Sequence, residues 1–110
     1  MNAFDVLGDP IRRSILDELA GGERTAGEIT AAVQQRFGIT QPAVSHHLRI
    51  LRESGFTEMR RDGPKRLYSV RSDAFREADE WLERFRRLWT GPLAALATEV
   101  ARGKIERKQR

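Results

Sequence analysis

The connection between two predicted helices constrains the fold of this 110-residue chain more than any other sequence feature. The capping box Thr25–Glu28 predicts the start of one helix, and Gly38 ends it. Only Ile39 separates that glycine from Thr40, which predicts the N-cap of a second helix running to Ser54. Helices joined by so short a turn cannot lie antiparallel side by side, so the two must cross steeply.

The second of these helices has two chemically different faces. Its apolar sector, about 100° wide, holds Val44, His47, Leu48 and Leu51. Its other surface carries Gln41, Pro42, Ser45, His46, Arg49 and Arg52. A helix exposed for structural reasons alone favours Glu/Lys pairs, whereas short polar and donor-rich side chains near a helix N-terminus suit base edges and phosphates. The helix pair therefore predicts a helix-turn-helix whose second helix reads DNA.

A basic hairpin is predicted directly after this helix pair. Residues 56–61 and 66–70 are strand-like, and the turn signal Asp62-Gly63-Pro64-Lys65 separates them. Four cations surround the predicted tip: Arg60, Arg61, Lys65 and Arg66. Such charges can simply protect the edges of a solvated hairpin. After a helix-turn-helix, the better interpretation is a wing that lies along a phosphate backbone.

The distribution of charge supports this interpretation. The chain has a formal net charge of +4, and residues 40–71 alone carry +4. Residues 102–110 carry another +4, and the remaining residues together carry a net charge of −4. A basic end of this kind is commonly a solvated tail. We therefore expect one domain over residues 1–103 and a flexible basic tail over 104–110, which can add non-specific affinity.

Composition excludes several classes of protein. The absence of cysteine rules out a disulfide scaffold, a thiolate metal site and a cysteine nucleophile. No apolar run approaches the ~18 residues of a membrane span, and the N-terminus lacks the pattern of a signal peptide, so we expect a cytoplasmic protein. There is no glycine-rich phosphate loop and no convergent Ser/His/Asp set, so neither an enzyme nor a bound cofactor is predicted.

An aromatic stripe follows the hairpin. Phe75, Ala78, Leu82, Phe85 and Trp89 step by three or four residues, with Trp81 and Leu88 beside them. Gly91-Pro92 breaks this helix, and a last amphipathic stretch spans residues 93–100. Part of the stripe belongs to the core. A domain this small cannot easily cover so many large rings, so the stripe also predicts a dimer interface.

Several segments together resemble the ArsR (ArsR/SmtB-type) winged-helix repressors of bacteria. They are Leu7–Leu16, Thr40–Leu48, Leu51–Gly55, Arg60–Gly63 and Tyr68-Ser69. The resemblance implies a mainly α fold with a small β-hairpin, in the order α-α-α-α-β-β-α-α. It also implies a homodimer joined through its first and last helices, with the recognition helix in the major groove of double-stranded DNA.

The resemblance assigns residues to both surfaces. Positions matching the family's DNA contacts are Thr40, Gln41, Ser45, His46, Arg49, Arg60, Arg61, Lys65 and Arg66, and the polar face of the same helix adds Arg52. Because the family joins its protomers through the first and last helices, the predicted dimer interface comprises Phe4 and Leu7 together with stripe residues Phe75, Ala78, Trp81, Leu82, Phe85 and Trp89.

The sequence departs from the metal-sensing members of that family. Their Cys-x-Cys pair falls on Thr25 and Gly27 here, and no histidine follows His47. His46 and His47 point about 100° apart, one outwards and one towards the core, so they cannot share a metal. Carboxylates such as Asp79 and Glu83 are poor ligands for borderline transition metals. The chain therefore resembles the cysteine-free branch that does not sense metals, and we expect no metal site.

The sequence predicts a homodimeric repressor that binds an inverted-repeat operator, with Arg49 contacting a guanine base. The alternative is a winged helix used only as a protein–protein interaction module, which the donor-rich helix face and the basic hairpin argue against. The operator sequence and the regulated genes are not determined at this level. Release of DNA by a small ligand, by a partner protein or by expression level alone stays open.

Overall fold

A computed structural model describes residues 1–90, and five α-helices and three strands form within them. The helices are α1 (Ala3–Leu7), α2 (Pro10–Leu19), α3 (Ala26–Phe37), α4 (Gln41–Glu53) and α5 (Phe75–Thr90). The strands are β1 (Arg24–Thr25), β2 (Thr57–Asp62) and β3 (Lys65–Val70), and a 3₁₀ turn spans Ser72–Ala74. The predicted last helix over residues 93–100 and the tail over 104–110 lie outside the described residues. Residues 1–78 form one compact unit, and a second unit begins at Asp79.

Local capping chemistry starts the helices where the sequence predicts. The Asp9 carboxylate accepts the backbone N–H groups of Ile11 at 2.8 Å and Arg12 at 3.1 Å, and Pro10 occupies the first helical position. Thr25 and Glu28 form a reciprocal capping box, with both hydrogen bonds 3.1 Å long. These bonds satisfy N–H groups that have no partner within the helix, and the capping box confirms the predicted start of α3.

The helix-turn-helix is confirmed as α3, a short turn and α4. Gly38 takes a left-handed conformation with φ 66°, which lets α3 end abruptly without the steric strain of a side chain. Thr40 then caps α4 by accepting the N–H of Ala43 at 3.3 Å. Ile39 packs against the core and so helps set the angle at which the chain enters α4.

The core lies where α2, α3 and α4 meet the sheet. Its fully buried side chains come from the first four helices and from the start of the wing, and they include Val6, Ile15, Ile29, Val33, Val44, Leu51 and Phe56. Burying a side chain of this size contributes roughly 1.5–3 kcal/mol. Since three of the four residues in the predicted apolar sector of α4 are buried, the core holds the opposite face of α4 towards solvent.

The sheet has three strands in the order β1-β3-β2, one more than the hairpin predicted from sequence. The extra strand is only two residues long, too short to show a period of two. It forms because the α2–α3 connection runs beside β3, where Arg24 pairs with Tyr68 and Thr25 with Leu67. The predicted four-residue turn is also shorter, because the strands continue through Asp62 and Lys65.

Helix α5 divides its apolar residues between two environments. Phe75 packs edge-on against Phe56, with ring centroids 4.9 Å apart, and Ala78 is buried. Both therefore serve the core of this protomer, although the sequence assigned them to a dimer interface. In the second unit, the side chains of Trp81, Leu82, Phe85, Leu88 and Trp89 are 37–65% exposed. Trp81 and Phe85 contact each other, with centroids 4.7 Å apart.

The remaining residues assigned to the dimer interface lie in α1. Phe4 is 41% exposed, whereas Leu7 is partly buried against the core.

Within residues 1–90, no helix combines the length and the apolar composition needed to cross a membrane.

Candidate nucleic-acid interface

The outward face of α4 presents a row of polar side chains. Gln41, Ser45, Arg49 and Arg52 are exposed and follow one another at helical spacing, with His46 beside them. Arg49 donates from Nη2 to Nδ1 of His46 at 3.2 Å, one helical turn away. This contact orients the guanidinium along the helix surface, where its remaining donors face solvent. The face can therefore offer several donors to a base edge or a phosphate.

A cleft of about 560 Å³ lies between α3, α4 and β3, and we refer to it as the α3–α4–β3 cleft. Its lining includes Gly27, Thr30, Ala31, Gln34, Gln41, Ser45, Arg49, Arg52, Arg66 and Tyr68. It brings five of the predicted DNA contacts together, four along the α4 wall and Arg66 at the edge of the wing. The α3 side was missed from sequence, although Gly27, Ala31 and Gln34 form a stripe of small or polar residues opposite buried Ile29 and Val33. Small side chains at that spacing leave room for a ligand to approach the helix backbone.

The wing, defined as β2, β3 and their turn, has two different faces. Arg61 lies directly opposite Arg66 in the register, so the two guanidinium groups share a face. Tyr68, two residues along from Arg66, points the same way and lines the cleft with it. Neither arginine has an ion pair within residues 1–90. Like charges facing each other are unfavourable unless an anion lies between them.

Arg60 belongs to the opposite face of the wing. It lies opposite Leu67, and side chains alternate along a strand, so it points away from the face that carries Arg66. Its Nε and Nη2 donate to both carboxylate oxygens of Glu23, at 2.7 and 2.9 Å. These hydrogen bonds from Arg60 lower the pKa of the Glu23 carboxyl, and they raise the pKa of Arg60 in turn. The structure thus separates Arg60 from Arg61 and Arg66.

The buried side chain of Arg12 contacts α4 on the side that faces the core. Arg12 is 8% exposed, and its Nε and Nη2 donate to the carbonyl oxygens of Val6 at 3.0 Å and Asp5 at 2.9 Å. Its Nη1 lies 3.3 Å from Nδ1 of His47, which must therefore be unprotonated to accept. The inward orientation predicted for His47 is confirmed. One side chain of α2 therefore joins the end of α1 to the middle of α4.

The surroundings of His47 disfavour its charged form. Partial burial is the main cause that lowers its pKa, the positive charges of Arg12 and His46 add to it, and the carboxylate of Asp9 opposes it. His47 is therefore neutral in the folded protein at neutral pH, while the unfolded chain takes up a proton near the ordinary histidine pKa of about 6.5.

Stability should consequently fall as the pH drops below about 6.5, because the unfolded state then binds a proton that the folded state does not. The loss should level off once the pH is below the folded-state pKa of His47. Urea denaturation at a series of pH values measures it. His47→Asn keeps an acceptor for Arg12 without a titrating group, so this variant should flatten the dependence. His46→Asn is the matched control on the same helix and should retain it; equal flattening by both variants would contradict the assignment.

Carboxylates in the second unit pair with an arginine. Arg86 bonds to Asp79 at 3.1 Å and to Glu83 at 2.7 Å, so the two acids considered as weak metal ligands are held by a cation. Within residues 1–90, no group of three or more histidine, aspartate or glutamate side chains is arranged to hold a metal ion.

Comparisons with known proteins agree with this geometry. Residues 7–60 match a family model described as a helix-turn-helix domain. The transcriptional repressor SdpR of Bacillus subtilis is 37% identical over 84 residues, which cover 76% of this chain and 89% of the repressor. Its name matches the regulatory function predicted from α4 and the wing.

Two solved structures share the fold. The crystal structure of an ArsR family transcriptional regulator superposes with a TM-score of 0.66 at 27% identity, covering 81% of this chain and 88% of that one. The solution structure of a homodimeric winged helix-turn-helix DNA-binding domain, from a possible ArsR-family regulator of Mycobacterium bovis, gives a TM-score of 0.58 at 28% identity and covers 82% of each chain.

The α3–turn–α4 unit, the basic wing and these similarities all lead to one assignment. The chain belongs to the ArsR family of winged helix-turn-helix transcriptional repressors.

Proposed function

We propose that the protein represses transcription as a homodimer bound to an inverted-repeat operator in the bacterial cytoplasm. The observation that carries this proposal is the orientation of α4. Val44, Leu48 and Leu51 fix its inner face in the core, and its outer face presents Gln41, Ser45 and Arg49 beside the α3–α4–β3 cleft. A helix held in this way can enter a major groove with its N-terminal residues against base edges.

The wing supplies contacts that do not depend on sequence. Arg61, Lys65 and Arg66 are exposed around the turn, and the two arginines share the face that borders the cleft. A phosphate between Arg61 and Arg66 would relieve their mutual repulsion and accept hydrogen bonds from both. We therefore assign affinity for the DNA backbone to these three cations.

Exposed aromatic residues in the second unit support dimerisation. Five large apolar side chains between Trp81 and Trp89 are more than a third exposed in the isolated chain. Contiguous apolar exposure of this kind is characteristic of an interaction surface. Because a similar solved structure is homodimeric, we assign this surface to a second copy of the chain. Two copies of α4 related by a two-fold axis would enter successive major grooves about 34 Å apart.

Two measurements test the proposal. Sedimentation should give a dimer, and fluorescence anisotropy should show binding to a random-sequence duplex at low salt that weakens steeply with added salt. Selection from a random duplex library should then yield an inverted repeat. No association at low salt would overturn the DNA-binding proposal and favour a module that binds only protein. A selected site without two-fold symmetry would overturn the dimeric arrangement.

A further inference from the structure

The position of Arg60 implies a role different from that of the other wing cations. Glu23 directly precedes β1, which lies on one side of β3, whereas Arg60 lies in β2 on the other side. Their bidentate pair therefore spans the central strand and connects the two outer strands of the sheet. Glu23 is positioned at the entry to α3, whose start is fixed by the Thr25 capping box.

We infer that Glu23 and Arg60 form a brace that sets the orientation of the wing, so that Arg60 aids DNA binding by positioning its neighbours and does not contact phosphate. This inference rests on the proposed function, since it concerns how the wing meets DNA. Arg60 is a positioning residue. The negative charge of Glu23 repels DNA, but Glu23 strengthens DNA binding because it holds Arg60 in place.

Two features of the pair support this role. Both guanidinium bonds to the carboxylate are short and parallel, the geometry in which an arginine–carboxylate pair adds orientation as well as energy. The pair also lies on the face opposite Arg61 and Arg66, so a phosphate seated between those two would not reach Arg60. Among the described residues, no ion pair connects the cleft-facing side of the wing to another segment, because Arg61 and Arg66 make none.

Removal of the negative charge of Glu23 should weaken DNA binding, whereas loss of an acid ordinarily strengthens it. Glu23→Ala should weaken binding of the full-length protein to a random-sequence duplex, by up to about fivefold, the range of a well-formed exposed ion pair. Glu58→Ala is the matched control, because Glu58 is an exposed acid on the same strand face as Arg60 that makes no ion pair within residues 1–90. This control should strengthen binding slightly, as loss of an acid ordinarily does. Tighter binding by both variants would overturn the brace.

The salt dependence separates positioning from contact. Arg66→Ala should reduce the magnitude of the log K–log salt slope by about 0.9, the value for one lost phosphate contact. Arg60→Ala should weaken binding as Glu23→Ala does while leaving the slope unchanged. The exchanged pair Glu23→Arg with Arg60→Glu should recover most of the affinity that Arg60→Glu alone loses. A reduced slope in Arg60→Ala, or failure of the exchange to restore binding, would show that Arg60 contacts DNA directly.

A measurement on the free protein distinguishes failure of the inference from failure of the proposed function. Backbone ¹⁵N order parameters at Gly63 should fall in Glu23→Ala and stay at the wild-type value in Glu58→Ala. If the wild-type protein binds no duplex, the proposed function fails, and the order parameters still decide whether the brace exists. If the wild type and Arg66→Ala behave as expected but Gly63 is unaffected by Glu23→Ala, only the brace is wrong.

Discussion

Replacing Arg12 with methionine should lower the free energy of unfolding by about 2–4 kcal/mol, the largest effect expected from any single polar substitution considered for this protein. The guanidinium is buried and donates to two carbonyl oxygens at the end of α1 and to His47 of α4. Methionine fills a similar volume but donates nothing, so three acceptors lose their partner in surroundings with little access to water. Urea denaturation at a fixed protein concentration measures the loss, since the stability of a dimer depends on concentration.

Arg13→Met is the matched control for that experiment. Arg13 is the next residue of α2 and donates to the carbonyl oxygen of Leu7 at 2.6 Å, but it is exposed, so water can replace it. Its loss should cost less than about 1 kcal/mol. Equal destabilisation by the two variants would show that the Arg12 network contributes no more than a surface hydrogen bond.

Arg49→Ala should weaken binding to a selected operator by about 1–3 kcal/mol and relax the preference for one base pair in each half-site. The physical reason is that the Arg49 guanidinium is exposed on the outer face of α4, oriented by His46, and has donors left for the two acceptors of a guanine edge. The measurement is anisotropy with the selected site and with variants of it that change one base pair at a time.

The same experiment distinguishes a base contact from a phosphate contact. If Arg49 contacted only phosphate, its loss would weaken binding to all sequences equally and reduce the salt slope by about one. Arg71→Ala serves as the control, because Arg71 follows β3 at the end of the wing away from the turn and already pairs with Asp73 at 3.2 Å. This variant should bind the operator and its variants as the wild type does.

Most of the first unit was predictable because its signals are local. The caps of α2, α3 and α4 join residues two or three positions apart, so sequence alone identifies them. The inner and outer faces of α4 follow from the helical period, and Gly38 marks the turn between the two helices. The predicted wing was wrong only in detail, since a two-residue turn replaced the longer one and β1 added a third strand.

The division of α5 could not be read from periodicity. Phe75 and Trp89 belong to the same predicted stripe, yet Phe75 packs on Phe56 in the core and Trp89 is 39% exposed. A stripe shows which side of a helix is apolar, but whether each residue in it is buried depends on tertiary contacts that periodicity does not contain.

By itself the sequence determined the helix-turn-helix, the hairpin that follows it and the donor-rich face of α4, since each depends on residues close together in the chain. Only the tertiary structure decided which charged side chains have a hydrogen-bond or ion-pair partner. The Glu23–Arg60 pair joins residues 37 positions apart, and the Arg12–His47 bond joins residues 35 apart. The local sequence places Arg60 and Arg61, like Arg12 and Arg13, on different sides of their elements, but it does not show which of them has a distant partner. The fold separates them, because a hydrogen bond requires two groups within about 3 Å, and that proximity exists only after the chain has packed.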